Sequence, residues 1–491
     1  MSSTSSDASR AATLGSYARK LSIIPRPNIS IDVENHYRSK VYTTSSKVSG
    51  HVTINPQTDV RFDTIQILLL GTSKTRIDNI NVPKATCHTF LKLIMPIPES
   101  AYQVPRVFEA GRTYKMPFTF VIPHYLTLNA CNHDVSNDSV REHHVRLPPT
   151  MGSWERDDFT PQMSRVQYVI RARVYRQEEI DGSITKAMEA TQEIKVLPAD
   201  IEDAPLNITK HDNLYTMSKS KSLRRTILSP KSGKVTVSAA QPSAAMLSPD
   251  GQSITPVTVP LHIEFEPASR DSQPPRVTGI YSKVTAVTFF SCSGTNHFPN
   301  LKDWSRTFPC DGRGSYSSTT SVATQPPGPL TWRTRRPTQT RRDSGYCSSD
   351  VETSSDHSVS SRNHDVPTTS SSSEPAPLPH HTTTLHIPVQ LPARKKTFIP
   401  SFHSCITSRV YVLWLTVSLS AGSSSSSSLT LGVPLQIAVD GSRALESGDD
   451  GLPSFEAALR DAEADEALRP RVMGVPGVQF ESALPGLLQD I

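Results

Sequence analysis

The sequence predicts an all-β protein built from two tandem immunoglobulin-like β-sandwiches. Three observations carry that expectation. Apolar residues recur with a period of two in many short segments, as half-buried strands require. Those segments are rich in β-branched and aromatic residues and are separated by Gly, Pro and Asn. Helical periodicity is almost absent. At 491 residues the chain has room for two to three domains. Its hydrophobic fraction of 36% is low and its 40 prolines are many, which fits ordered domains diluted by disordered polar segments.

Residues 1–25 are Ser/Ala-rich and are expected to be disordered. The first sandwich is assigned to 26–200. Its strands start at "NISIDVENH" and continue through "KVSGHVTINP" and "DTIQILLLGTSKTRI", where Ile65, Ile67 and Leu69 alternate with Thr64 and Gln66. "YKMPFTFVIP" follows, with Phe118, Phe120 and Ile122 in step. The stretch from Arg165 alternates strictly: Val166, Tyr168, Ile170, Ala172 and Val174 share one face, and Arg165, Gln167, Arg171 and Arg173 fall mostly on the other. "TKAMEATQEIKVLP" closes the domain. A basic linker is assigned to 201–231. The second sandwich is assigned to 232–293 and 382–441, with Leu261, Ile263 and Phe265 of "VPLHIEFEP" on one face. Between its two parts, 294–381 is dominated by Ser, Thr, Pro and Arg and is expected to be a disordered insertion. The Ser run at 423–428 reads as a hairpin loop. The acidic tail, 442–491, places Phe455, Leu459 and Ala462 at helical spacing before Pro470, so a short helix is expected there.

Net charge is +5, so no strong field steers the chain to nucleic acid. The six cysteines (87, 131, 292, 310, 347 and 405) form no CxxC pair and indicate neither a disulfide framework nor a zinc site. The N-terminus lacks the apolar region of a secretory signal, and the longest apolar run, near "VYVLWLTVSL", is far short of the roughly 20 residues of a membrane helix. The expectation is a reduced, cytoplasmic protein without a transmembrane segment, in which the sequons at Asn28, Asn137 and Asn207 are chance matches.

Four groups of residues invite chemistry. "WERDDF" offers the carboxylates Glu155, Asp157 and Asp158, but no His or Lys stands beside them in sequence, and a solvated loop rim with Trp154 capping the sandwich edge is the expected reading. Arg165, Arg171 and Arg173 form a basic stripe, either a contact face for phosphate or acidic peptide or simply the charge of an exposed strand. Cys131, His133, His143 and His144 are metal-ligand types, but no second cluster with ligand spacing accompanies them. In the insertion, "RRDSGYCSSD" sets Arg341 and Arg342 before Ser344 at basophilic-kinase spacing, and the run to Ser348 has the form of a phosphodegron. Phosphate on Ser344 would create a docking site for a 14-3-3 protein or a ligase adaptor; Thr226 and Ser229 are weaker candidates. The chain has no G-x-S-x-G, P-loop or G-x-G-x-x-G, so neither an enzyme nor a cofactor is expected.

The block "LPPTMGSWERDDFTPQMSRVQYVIRARV" resembles the end of the N-terminal arrestin domain of fungal α-arrestins. Val166, Tyr168, Ile170 and Ala172 look like a strand found across arrestins, and "PFTFVIP", "GKVTVSAAQP" and "FIPSFHSCITSRVYVLWLTVSL" with "LGVPLQIAV" fit the same pattern more loosely. The resemblance spans roughly 26–200 and 230–441, excluding the insertion. It implies an adaptor that meets the cytoplasmic tails of plasma-membrane transporters or receptors and recruits a HECT-type ubiquitin ligase for their endocytosis, with peripheral association to plasma membrane or endosomes. In that family a PPxY or LPxY peptide binds ligase WW domains, its prolines pre-setting an extended backbone. This chain has no PPxY. Leu452, Pro453, Phe455 and Glu456 match LPxYE with Phe in place of Tyr, which keeps the ring and loses a hydroxyl hydrogen bond worth about 0.5–1.5 kcal/mol. Two other classes stay open: an arrestin-fold sorting scaffold that works without a ligase, and an enzyme on a β-sandwich using the Glu155, Asp157 and Asp158 carboxylates.

Overall fold

A computed structural model describes residues 28–78, 83–177, 183–200, 202–209, 212–224, 226, 229–300, 312–324, 330–335, 378–422 and 426–441. The all-β expectation holds, and large sheets dominate the described chain. Among the described residues no helix is long and apolar enough to cross a membrane.

The first sandwich is made of β1 (Ile29–Val33), β2 (Val41–Tyr42), β3 (Lys47–Ile54), β4 (Val60–Arg61), β5 (Thr64–Ile77), β6 (Lys84–Ile94), β7 (Val107–Phe108), β8 (Tyr114–Val121), the short helix α1 (Asp138–His144), β9 (Ser164–Gln177) and β10 (Ile184–Val196). One sheet has the order β1-β3-β8 and the other β2-β10-β9-β5-β6; β4 and β7 form a small separate pair. All these pairings are antiparallel except β2 with β10. The period-two faces meet between the sheets. Val48, Val52 and Phe118 on one layer pack against the layer carrying Ile67, Leu69 and the fully buried Val166, Tyr168, Ile170, Ala172 and Val174. Tyr168 keeps its hydroxyl satisfied in this apolar layer by donating to the Pro148 carbonyl at 2.7 Å. Gly50 is required where β3 pairs with the end of β1: a Cβ there would lie 2.2 Å from the Asp32 carbonyl oxygen and 2.8 Å from the Phe118 ring.

The second sandwich contains β11 (Ser218–Arg224), β12 (Lys231–Ala239), β13 (Ala245–Leu247), β14 (Val257–Pro267), β15 (Arg276–Ser291), β16 (Arg313–Thr324), β17 (Arg333–Arg335), β18 (His380–Gln390), β19 (Phe402–His403), β20 (Thr407–Ser420), β21 (Ser426–Leu435) and β22 (Ile437–Val439). The run β11-β12-β14-β18 forms one layer, and β15, β16, β19, β20 and β21 form the other. β16 joins them: most of it pairs with β15, and its last two residues pair with β18. β13 and β22 make a parallel pair at the end of the described chain. Both sandwiches lie within one compact unit that ends at Gly441.

Three segment assignments change. The insertion expected to be disordered over 294–381 contributes β16 and β17, and Thr295 is buried. The pattern hid β16 because Arg313–Thr324 is mostly Ser, Thr and Gly; Val322 is its one buried large apolar side chain, and its order comes from the ladder to β15 and from Thr319 bonding Thr285 at 2.8 Å. The basic linker of 201–231 is not merely a spacer. It supplies β11, and Leu214 and Tyr215 cover Val287, Phe289 and Val412 on the outer face of β15 and β20. The Ser run is only partly a loop, because Ser426, Ser427 and Ser428 pair with β20 as the start of β21. Residues 1–25, most of 325–377 and the whole tail, with its expected helix at Phe455–Ala462, lie outside the described residues.

Candidate functional site

The chemistry-bearing side chains converge on the junction between the sandwiches. The loop carrying "WERDD" runs from Met151 to β9, and its carboxylates divide: Asp157 reaches the second sandwich, Asp158 is buried within its own loop, and Glu155 stays on the part-exposed rim of the first sandwich. Asp158 is buried and accepts from the backbone N–H groups of Gly152, at 2.7 Å, and Thr160, at 3.2 Å. Asp157 accepts from the Phe159 N–H and pairs with Lys396 of the second sandwich; that lysine and the Phe159 N–H hold its carboxyl below the usual range. Phe159 sits at φ +61°, a left-handed conformation that costs a non-glycine residue about 1–2 kcal/mol. Burial of its ring against Phe398, at 5.3 Å between centroids, offsets that cost. Trp154 caps the sandwich edge as expected, donating from its indole to the Thr150 carbonyl at 2.8 Å. Glu155 meets Lys195 and Arg38. With Asp157 bridging to Lys396 and Asp158 holding the turn, the loop is built as a connector.

Arg409 is the opposite half of that connector. It begins the apolar run of β20 and is fully buried. Its guanidinium donates to the Asp158 carbonyl at 2.8 Å, the Thr160 hydroxyl at 3.0 Å and the Thr288 hydroxyl at 2.9 Å. Thr75 donates across the same junction to the Ser291 carbonyl at 2.7 Å, and Thr86 to the Cys292 carbonyl at 2.8 Å. Arg156 adds a bond to the Ala393 carbonyl at 3.1 Å.

Beside this seam lies a cavity of about 90 Å³, lined by His143, Arg146, Pro148, Tyr215, Phe402 and His403 among others. Arg146 pairs with Asp203 at 2.7 Å and with Asp200 at 3.5 Å, and His143 faces Asp203 at 3.5 Å. The bond to His143, helped by Arg146, holds the Asp203 carboxyl down at about 2. Burial pulls the His143 imidazole down, but Asp203 and the Ser139 carbonyl outweigh it and leave it above its ordinary value. Burial pushes His403 down to about 3, so it is neutral, and its Nδ1 has no hydrogen-bond partner. The cavity has room for a few waters rather than a peptide side chain and backbone.

The four metal-ligand residues of the sequence divide. His143 joins Asp203, while Cys131, His133 and His144 converge on a fourth residue that spacing could not reveal, Cys405. Their ligand atoms all lie within 4.8 Å of one another. Cys131 Sγ stands 3.6 Å from His133 Nε2 and 3.6 Å from His144 Nδ1. Asn137 caps α1 by accepting from the Val140 N–H at 3.0 Å, which sets the helix that delivers His144. Burial pushes His144 down to about 4 and Cys405 up to about 12.

The basic stripe is matched by carboxylates of β10. Arg165 pairs with Glu193 at 3.4 Å, and Arg171 and Arg173 pair with Glu189 at 3.4 and 3.0 Å. These pairs are part-exposed, so an incoming carboxylate or phosphate competes with solvated partners at low cost. Ser229 is half-buried and closes a turn, donating to the Thr226 carbonyl at 3.0 Å and accepting from its N–H at 2.8 Å. Ser344, Ser348, Leu452, Pro453, Phe455 and Glu456 lie outside the described residues. Sequence reasoning missed Arg409, Asp203, His403 and Cys405. Only Arg409 left a signal, a lone charge at the head of an otherwise apolar strand.

No protein-family model matches this chain, and no curated protein matches it.

Proposed function

We propose that the chain is an arrestin-like trafficking adaptor that links cytoplasmic tails of membrane transporters or receptors to a WW-domain, HECT-type ubiquitin ligase. The observation that supports this reading best lies in the block Leu147–Val174, where the resemblance is most specific. Its second half is the central strand of the first sandwich, with one face fully buried, and its first half is the loop that Arg409 and Lys396 of the second sandwich grip. Such a block serves to hold two sandwiches as one body, which is what a scaffold presenting a composite surface needs. On this reading the cargo contact is the stripe of Arg165, Arg171 and Arg173, where acidic or phosphorylated tails displace Glu189 and Glu193. Phosphorylation at Ser344 would add a 14-3-3 docking site.

The test is co-purification of the full-length protein with a WW-domain ligase, compared with a chain lacking 442–491. Loss of the ligase on deletion, and several-fold stronger binding by Phe455→Tyr, are the expected results; unchanged binding after deletion rejects the tail as the docking element. Phe455 itself favours a second reading, a sorting scaffold that holds membrane cargo without a ligase. Cargo capture with no ligase in any preparation selects it.

A further inference from the structure

The cluster of Cys131, His133, His144 and Cys405 has the composition and spacing of a metal centre. With Zn–S near 2.3 Å and Zn–N near 2.05 Å, a tetrahedral angle sets sulfur and nitrogen about 3.6 Å apart. Both sulfur–nitrogen separations measured from Cys131 are 3.6 Å. The surroundings orient the donors. His133 Nδ1 lies 3.1 Å from the Asp134 carbonyl, and an N–H donated there leaves Nε2 as the lone-pair nitrogen facing Cys131. Gly294 makes room for that ring, since a Cβ would stand 2.4 Å from His133 Cγ. Cys131, His144 and Cys405 are buried, and all four cysteines of the described residues are free.

We propose that these four side chains form a tetrahedral zinc site that clamps the two sandwiches together. Two thiolates and two neutral imidazoles bring the dication's net charge to zero, which suits a site closed to water. Soft sulfur with imidazole selects zinc over calcium or magnesium, which take oxygen ligands. With all four positions filled by protein, no open position remains for substrate, so the centre is structural. Three ligands come from the Cys131–His144 segment of the first sandwich and the fourth from the turn before β20 in the second. The metal therefore closes a loop of more than 260 residues between His144 and Cys405. This inference is independent of the adaptor reading.

The experiment uses the full-length protein, purified without a metal-affinity step under reducing conditions, with metal content measured by mass spectrometry. One zinc per chain is expected, and Co²⁺ exchanged for it should show the visible bands of a tetrahedral thiolate–imidazole complex. Cys131→Ser and Cys405→Ser should each weaken zinc binding by more than the roughly 10–100-fold that loss of a supporting hydrogen bond costs. Cys87→Ser and Cys292→Ser should leave it unchanged. Because a ligand variant can also fail to fold, the wild-type protein supplies a second readout: zinc should protect Cys131 and Cys405 from alkylation while the exposed Cys87 reacts. Metal-free protein that takes up no added Zn²⁺, full zinc retention in both ligand variants, or a Cys131–Cys405 disulfide in the native protein would each overturn the proposal.

Discussion

Replacing Arg409 with Met tests whether the junction is a structural bond or mere adjacency. Methionine keeps most of the stem volume, so little cavity opens and the effect is that of the lost guanidinium. Two of its three hydrogen bonds, to the Asp158 carbonyl at 2.8 Å and the Thr160 hydroxyl at 3.0 Å, cross from one sandwich to the other. Bonds from a charged donor contribute about 1.5–3 kcal/mol each, so the gross loss is about 4.5–9 kcal/mol, of which about 3–6 kcal/mol crosses the junction. Relief of the desolvation cost of a fully buried guanidinium returns part of this, and a net loss of about 3 kcal/mol is expected. In urea, with a slope of about 2–3 kcal/mol per molar, the first unfolding midpoint falls by about 1 M. Trp154 and Trp414 report on the two sandwiches separately once Trp304 and Trp332 are changed to Phe. In that background their transitions should coincide with Arg409 present and separate in Arg409→Met. A cycle with Thr160→Val should give a coupling of about 1–2 kcal/mol. Coincident transitions with an unmoved midpoint, or additive single variants, would refute the reasoning.

Two further predictions concern acid stability and the second sandwich. The Asp203 carboxyl is depressed in the folded state, so its contribution is present above the unfolded value near pH 4 and is lost as pH falls through about 2. The group is part-exposed, which screens the contribution to about 1 kcal/mol; Asp203→Asn should therefore destabilise the protein at pH 6 and flatten the stability curve between pH 4 and 2, and an unchanged acid limb contradicts the ion pair. In hydrogen exchange, the backbone amides of 313–322 that bond to β15 should be protected like those of β20, whereas exchange at the rate of an open chain removes β16 from the sheet.

Much of the fold was legible because period-two alternation is a local signal. Val166 to Val174, Leu261 to Phe265 and Ile65 to Leu69 each announce a buried face without help from the rest of the chain. β16 was illegible for the converse reason: Ser and Thr at seven of its twelve positions carry no face, and the strand is fixed by a ladder to a partner about thirty residues earlier. The site was harder still. Asp158 reads as a loop acid until Arg409, 251 residues later, takes its carbonyl. Cys131, His133 and His144 read as an incomplete ligand set until the fold supplies Cys405, 274 residues after Cys131. Local pattern specifies layers, whereas a junction is specified by pairs whose partners lie hundreds of residues apart.

The order in which the chain is made gives that separation a temporal meaning. A ribosome delivers Phe159 in its left-handed turn, and the rest of the first sandwich, long before Phe398, Cys405 and Arg409 exist to receive them. During synthesis of more than 200 further residues, the face that will become the seam stands open to water, offering an unpaired carbonyl, two lone imidazoles and a free thiol. The second sandwich also waits, since β13 pairs with β22, among the last described residues, and Thr216 bridges Gly432. Maturation is therefore a single late event. Any premature termination before Arg409 would release an unfinished seam, and one before Val439 an unpaired β13, giving a chaperone or protease a clear mark by which to tell a nascent chain from a finished one.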